Sequence, residues 1–446
     1  MGITIVQKSD LKAGAAKRKA LKALVLAGGA VSGGSFMAGG IRALSSYFDD
    51  FRVRDFDIFV GISSGSMLAV PLSAGISPES LLRTLDGTSS HFTPLKPWHY
   101  YRPNVEEFLY RPLSFIFKVG SLIPQLLVKL TEDKKSKSMG TKVVNFLQEP
   151  SVGSYHEMVE PLLSAVDEAG FPSIFSLFPT GIFDNRPLEE YFRKNIERNN
   201  LTNDFKKAFQ LTKKRLYICA MTLDGAKRVV FGPDEVNDIT ISEAIQASTA
   251  LPGFYRPARI RGVDYVDGGV QESANIDVAV DKGAGLIICY NPFRPYDANE
   301  FVDKFRFKAE KGKRMSERGL LSVINQIFRA IYHSRLEVAL DRFKRDPKFT
   351  GDIMLIEPKP DDVDFFMLNP LSLSTRVKAA KYGYISVKNS IEEKFDEMKK
   401  ILSSYGIKIS RRRVAKESDI FEKIQDTERV REVLEGKKSR SSSSRK

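Results

Sequence analysis

Twice early in the chain an apolar run ends in a glycine-rich turn that opens onto a stretch of small residues with helical character. Residues 23–27 lead into Gly28-Gly29-Ala30-Val31-Ser32-Gly33-Gly34 and then a helix over 35–48. Residues 55–60 lead into Gly61-Ile62-Ser63-Ser64-Gly65 and then a helix over 66–74. A short, unbroken apolar run bounded by glycine reads as a strand buried on both faces. Such strands pair in parallel, and parallel neighbours need a crossover, here a helix. The same grammar returns at 215–222, 228–231, a helix over 242–250, and 286–290. The expected fold is α/β, a three-layer α/β/α sandwich with a mainly parallel central sheet.

A chain of 446 residues leaves room around such a core. We place the core at 23–295. It carries an aromatic, amphipathic insertion over 89–179, which can serve as a lid. A mostly helical, charged extension covers 296–436. It includes an apolar strand at 352–357, expected to join the core sheet, and a long surface helix at 376–400. Residues 1–22 read as a basic, mobile arm, and 437–446 as a disordered Ser/Arg/Lys tail.

The formal net charge is +14. It suits anionic partners (a membrane surface, nucleic acid or an acidic protein), or solubility alone. No nucleic-acid reading module is recognisable, so nucleic acid is not an expected partner. Cys219 and Cys289 both lie in apolar runs and read as buried free thiols. The four histidines, His91, His99, His156 and His333, show no paired metal-ligand spacing, so no metal site is expected. No secretory leader or uninterrupted membrane-spanning run stands out, which leads us to expect a cytoplasmic protein, peripheral to a membrane at most. The nearest spanning candidate, 113–130, is broken by Lys118, Gly120, Pro124 and Lys129.

The chemistry concentrates in three places. Gly61-Ile62-Ser63-Ser64-Gly65 matches G-x-S-x-G, a sharp strand-to-helix turn that exposes a serine hydroxyl at a helix N-terminus. There the helix dipole favours developing negative charge. A plain glycine-rich turn fits the same letters. The 28–34 turn can offer backbone N–H groups at a strand end. It lacks the G-x-G-x-x-G spacing of a dinucleotide loop and the lysine of a phosphate loop, so no nucleotide cofactor is expected. Asp267, in Asp267-Gly268-Gly269, is either a simple turn residue or the base that a serine nucleophile needs. His333 is the one histidine that follows it, and it sits in a helical stretch as a packed or surface residue. A two-residue Ser–Asp arrangement therefore suits the residues available better than a triad.

In combination and order these blocks resemble the patatin-like phospholipases. The turn at 28–34 is similar to that family's oxyanion-hole block, and Gly61 to Gly65 to its nucleophile block. Residues 242–254 are similar to a helix-to-turn block, and 266–270 to the catalytic aspartate motif. A weaker match covers Gly181-Ile182-Phe183-Asp184 with Pro187-Leu188. The resemblance spans roughly residues 22–292. It implies a lipid acyl-ester hydrolase of phospholipase A or lysophospholipase type, acting through an acyl-enzyme. Ser63 would be the nucleophile and Asp267 its base. The N–H groups of Gly28, Gly29, Ala30 and Gly33 would hold the oxyanion, and Gly61 and Gly65 would shape the nucleophile turn. No cofactor is implied, and calcium is not expected. Two positions depart from the pattern. Ala30 replaces the third glycine of the usual triple, and keeps a usable N–H if its φ is negative. Ser32 stands where the family commonly has Arg or Lys. Both departures motivate an alternative: a catalytically weak or inactive, membrane-associated lipid-binding protein on the same fold. For either reading an anionic membrane is the expected surface. Trp98, Tyr100 and Tyr101 would sit at headgroup level, and basic residues at 411–413 and 437–446 would add attraction.

Overall fold

A computed structural model describes residues 2–9, 14–132, 139–149, 151, 153, 154, 157, 174–297 and 315–414. The lysine-rich segment 133–138, His156 and the basic tail 437–446 lie outside the described residues. The chain divides into two compact units, one formed by Met1–Arg102 with Asp184–Lys446, the other by Pro103–Phe183.

Among the described residues eleven strands are formed: β1 (Ile3–Gln7), β2 (Leu21–Leu26), β3 (Ile58–Ile62), β4 (Gly181–Phe183), β5 (Arg215–Thr222), β6 (Lys227–Phe231), β7 (Gly253–Tyr255), β8 (Ala258–Ile260), β9 (Val263–Asp267), β10 (Ala284–Tyr290) and β11 (Asp352–Ile356). Nine of them build one sheet in the order β1-β11-β10-β2-β3-β5-β9-β8, with β6 also paired to β5. From β11 to β5 all neighbours are parallel. The flanking pairs are antiparallel. The fold is thus α/β with a mainly parallel central sheet.

The strands are apolar throughout because each feeds two cores. Leu24 and Leu26 of β2, Leu286 and Ile288 of β10, and Met354 and Ile356 of β11 point to one face. Their alternates Ala23, Val25, Ile287, Cys289, Ile353 and Leu355 point to the other. On the first face lie the helices Ala30–Tyr47 and Arg376–Glu393, and on the second Ile276–Asp281 and Leu320–Arg345. Each fully buried leucine or isoleucine contributes roughly 1.5–3 kcal/mol. Both cysteines are buried and free.

Two expectations about the ends of the core are corrected. Within 1–22, expected to be a mobile arm, residues 3–7 form β1, which closes the sheet edge against β11, with Ile3 opposite Ile356. The Asp352 carboxylate accepts the N–H groups of Lys8 and Ser9 at 3.0 Å each. Basic composition obscured a strand only five residues long. Nor is 376–400 one surface helix. Arg376–Glu393 is a core helix, and a second helix, Phe395–Ser404, follows Lys394. The inward face of Arg376–Glu393 uses small residues, which give a weak apolar stripe in sequence. A Cβ added at Gly383 would lie 2.0 Å from the Phe36 carbonyl oxygen, and one at Gly39 1.9 Å from that of Ala380.

The Pro103–Phe183 unit contains the helices Val105–Glu132 and Met139–Gln148. Glu107 near its start pairs with Arg111 at 2.8 Å and accepts the Thr180 N–H at 2.7 Å. Phe108, Leu109, Leu113, Ile116 and Phe117 are exposed at helical spacing. Among the described residues no helix is long and apolar enough to cross a membrane.

Candidate active site

The strand order reverses around β2: the chain proceeds from β2 to β3 on one side and later returns to β10 on the other. In open parallel sheets the crevice beyond the strand ends at such a point is where ligands bind. Three segments leave the sheet there. They are the 28–34 turn after β2, Ser63 after β3, and Asn291 to Phe293 after β10.

Ser63 has φ 51° and ψ −128°, a left-handed position that costs a non-glycine residue about 1–2 kcal/mol. The surrounding structure holds it there. Its N–H donates to Ser248 Oγ at 2.8 Å, and Ser248 Oγ in turn donates to the Cys219 carbonyl on β5 at 2.6 Å. Ser66 closes the turn through its N–H and hydroxyl, both donated to the Ser63 carbonyl, at 3.0 and 2.6 Å. Gly61 and Gly65 are fixed by close approach. A Cβ on Gly61 would lie 2.6 Å from Ser66 Cα, and one on Gly65 2.1 Å from the Leu26 carbonyl oxygen. Gly65→Ala is therefore expected to cost about 3 kcal/mol by overpacking against rigid backbone, read as a fall in Tm with loss of the Ser63 geometry.

Asp267 ends β9 and is 4 % exposed. Register explains its approach to Ser63. Ile62 pairs with Cys219, so Ser63 follows at the level of Ala220, and Ala220 pairs with Asp267 from the other side. The Ser63 side chain lies within hydrogen-bonding reach of the Asp267 carboxylate and acts to lower its pKa. The Gly269 N–H donates to Asp267 Oδ1 at 2.9 Å. Burial pushes the carboxyl up from 3.8 to about 6, although both contacts pull it down. A carboxyl raised in this way takes up a proton nearer neutral pH than an ordinary aspartate does. His333 lies elsewhere, with Nδ1 3.2 Å from Glu357, while His91 and His99 bond to Asn199 and Lys96.

The glycine turn departs from expectation at two positions. Ala30 has φ 51°, not the negative φ its alanine side chain favours. Gly29 before it has no room for a side chain: a Cβ there would lie 2.5 Å from Pro292 Cγ and 2.7 Å from Gly33 Cα. The tight turn this enforces carries Ala30 into the left-handed region. Gly33 does not present a free donor, since its N–H is spent on the Gly29 carbonyl at 2.8 Å. The N–H groups of Val31 and Ser32 both go to the Pro370 carbonyl at 3.0 Å. Among the described residues, the N–H groups of Gly28, Gly29 and Ala30 have no protein partner, nor has that of Ser64, next after Ser63. Ser64 was not singled out from sequence as a donor. Gly28 faces Ser63 directly, a Cβ there lying 3.2 Å from Ser63 Cβ.

An apolar cleft of about 390 Å³ opens on Ser63, lined also by Ala30, Met67, Leu251 and Phe254. It adjoins a second apolar pocket lined by Leu81, Leu85, Leu95, Phe192 and Leu373. Ala30, Val31, Ser64, Met67 and Tyr100 border both. Tyr100 and Tyr101 are therefore not headgroup anchors. Tyr100 is 9 % exposed, and the Tyr101 hydroxyl donates to the Leu371 carbonyl. Both rings turn inward because their neighbours offer an apolar wall with a carbonyl at its edge. Trp98 alone of the three stands exposed.

A family model for the patatin-like phospholipases matches residues 24–280, more than half of the chain. The chain belongs to that family. Among curated proteins it is 33 % identical over 175 residues to the uncharacterized protein YjjU of Escherichia coli K12, covering 38 % of this chain and 44 % of that one. It is 23 % identical over 264 residues to the probable lipid hydrolase 463L of invertebrate iridescent virus 6, covering 59 % and 65 %. The chain thus spans less than two thirds of either relative. Among solved structures it is similar to VipD from Legionella pneumophila, at 15 % identity and a TM-score of 0.36, over 84 % of this chain and 67 % of that one.

Proposed function

We propose that this chain hydrolyses the acyl esters of lipids through Ser63 and Asp267. The observation that carries the reading is the Ser63 hydroxyl within hydrogen-bonding reach of a buried, ionisable carboxylate at the head of an apolar pocket. Ser63 Oγ attacks the ester carbonyl carbon and its proton passes to Asp267. The oxyanion is held by N–H groups of Gly28, Gly29, Ala30 and Ser64, donors that have no partner to give up among the described residues. As the tetrahedral intermediate collapses, Asp267 returns the proton to the leaving alcohol oxygen. Water, deprotonated by Asp267, then attacks the acyl-enzyme, and the fatty acid leaves with Ser63 regenerated.

The substrate side rests on the apolar pocket, and the surface on charge. A net charge of +14 favours an anionic bilayer, and the exposed apolar side chains of the Pro103–Phe183 unit suit its interface. The test is fatty-acid release from anionic phospholipid vesicles, with a short-chain p-nitrophenyl ester as control. Release that requires both Ser63 and Asp267 supports the reading. A folded protein inert toward a broad ester panel instead favours a lipid-binding role.

The adjoining pocket makes its own prediction. Leu81 is buried and lines that pocket but not the cleft at Ser63. Leu81→Trp is expected to exclude several methylenes of a long chain, each worth about 0.8 kcal/mol. The kcat/KM for a C16 ester should fall at least about tenfold relative to a C4 ester. Equal losses at both lengths would show that the acyl chain does not use this pocket.

A further inference from the structure

Arg329 lies on the helix Leu320–Arg345 and is 4 % exposed. Among the described residues no carboxylate pairs with it. Its Nη1 instead donates to the carbonyls of Pro292 and Arg294, both at 2.9 Å. The guanidinium also lies over the rings of Phe293, Phe365 and Phe366, at 5.8, 5.6 and 5.5 Å. A buried cation without a counter-ion is costly, so a purely structural site would be served as well by an apolar side chain of similar volume. What the arginine adds is a grip on two backbone carbonyls.

That grip reaches the glycine turn. Pro292 Cγ would be 2.5 Å from a Cβ on Gly29 and 2.9 Å from one on Gly33. Phe293 Cε2 would be 3.3 Å from a Cβ on Gly28, the same residue that faces Ser63. Pro292 and Phe293 therefore form the wall on which the turn is seated, and Arg329 holds the far side of that wall. We infer that Arg329 is a positioning residue for hydrolysis: by fixing Pro292 and Phe293 it seats the N–H groups of Gly28 and Gly29 opposite Ser63. The inference rests on the hydrolase reading above.

Wild type, Arg329→Met and Arg329→Lys separate this from a packing role. The measurements are kcat and KM on a short-chain p-nitrophenyl ester, the affinity of an alkyl trifluoromethyl ketone as oxyanion mimic, and Tm. Methionine should lower kcat by roughly 10–100-fold, the scale of a slight misplacement of catalytic groups, with KM little changed. The ketone should weaken by a similar factor. Tm should hold or rise, because a buried charge with no carboxylate partner among the described residues has been removed. Lysine, which can still reach a carbonyl, should restore part of kcat. An unchanged kcat in Arg329→Met overturns the inference. So does a loss of kcat that only tracks a falling Tm, in that variant or, if it does not fold, in Arg329→Lys. A wild type inert toward every ester overturns the hydrolase reading and this inference together, whereas an active wild type with an indifferent Arg329 overturns the inference alone.

Discussion

Ser63→Ala is expected to lower kcat for ester hydrolysis by about 10⁴-fold or more and to leave the fold intact. Ser63 is the hydroxyl that both opens on the apolar cleft and lies within hydrogen-bonding reach of the Asp267 carboxylate. Alanine keeps the Cβ and the backbone, so the Ser248 anchor at 2.8 Å and the left-handed φ of 51° both persist. Ser63→Gly isolates the strain that alanine retains. It should lose activity equally yet gain about 1 kcal/mol of stability, since glycine meets no steric cost at positive φ. Thermal unfolding of the two variants side by side reads that difference directly.

Asp267→Asn should lose about 10⁴-fold in kcat, because a carboxamide cannot take the Ser63 proton. Its effect on stability has the opposite sign. The folded carboxyl titrates at about 6, above its ordinary 3.8, with burial as the main cause. The folded state thus binds this proton more tightly than the unfolded state. Asp267 carries no penalty below the unfolded value. The penalty grows as pH rises from 3.8 towards 6 and is complete above it. That difference corresponds to about 3 kcal/mol. Asparagine should therefore raise Tm by about 3 °C at pH 8, at ~2.1 cal/mol/K of unfolding entropy per residue, with the gain lost near pH 4. Wild-type hydrolysis should show a single-proton acid limb with its midpoint near the same value of about 6. A limb that persists unchanged in the residual activity of Asp267→Asn would assign it to another group.

The reach of the sequence was set by which contacts are local. The strand–turn–helix units at 28–34 and 61–65 announce themselves, because glycine is demanded by neighbours a few residues away or one strand over. Asp267 was legible as a carboxylate in a tight turn. That its side chain meets Ser63 depends on register across β5, through Ala220, which no local pattern encodes. Ala30 shows the limit at the level of one dihedral, since its φ of 51° belongs to a turn packed against Pro292, hundreds of positions away in the chain. Gly33 was read as a donor from its place in the block, but a helical hydrogen bond to Gly29 had already claimed it. Burial of the helix Arg376–Glu393 was hidden because Ala379, Ala380 and Gly383 pack by closeness and leave little apolar surface to read. Arg329 carried no sequence signal at all. An arginine in a helix reads as solvent-facing until its partners are known to be carbonyls.

The measurement that tests the account most directly is the capture of the acyl-enzyme. The protein would be mixed with a long-chain p-nitrophenyl ester, quenched in acid during turnover, digested and mapped by peptide mass. The account predicts one acyl mass on the peptide containing Ser63 in wild type and none on it in Ser63→Ala. Acid release with the acyl group found on a different residue, or persisting undiminished in Ser63→Ala, would contradict it.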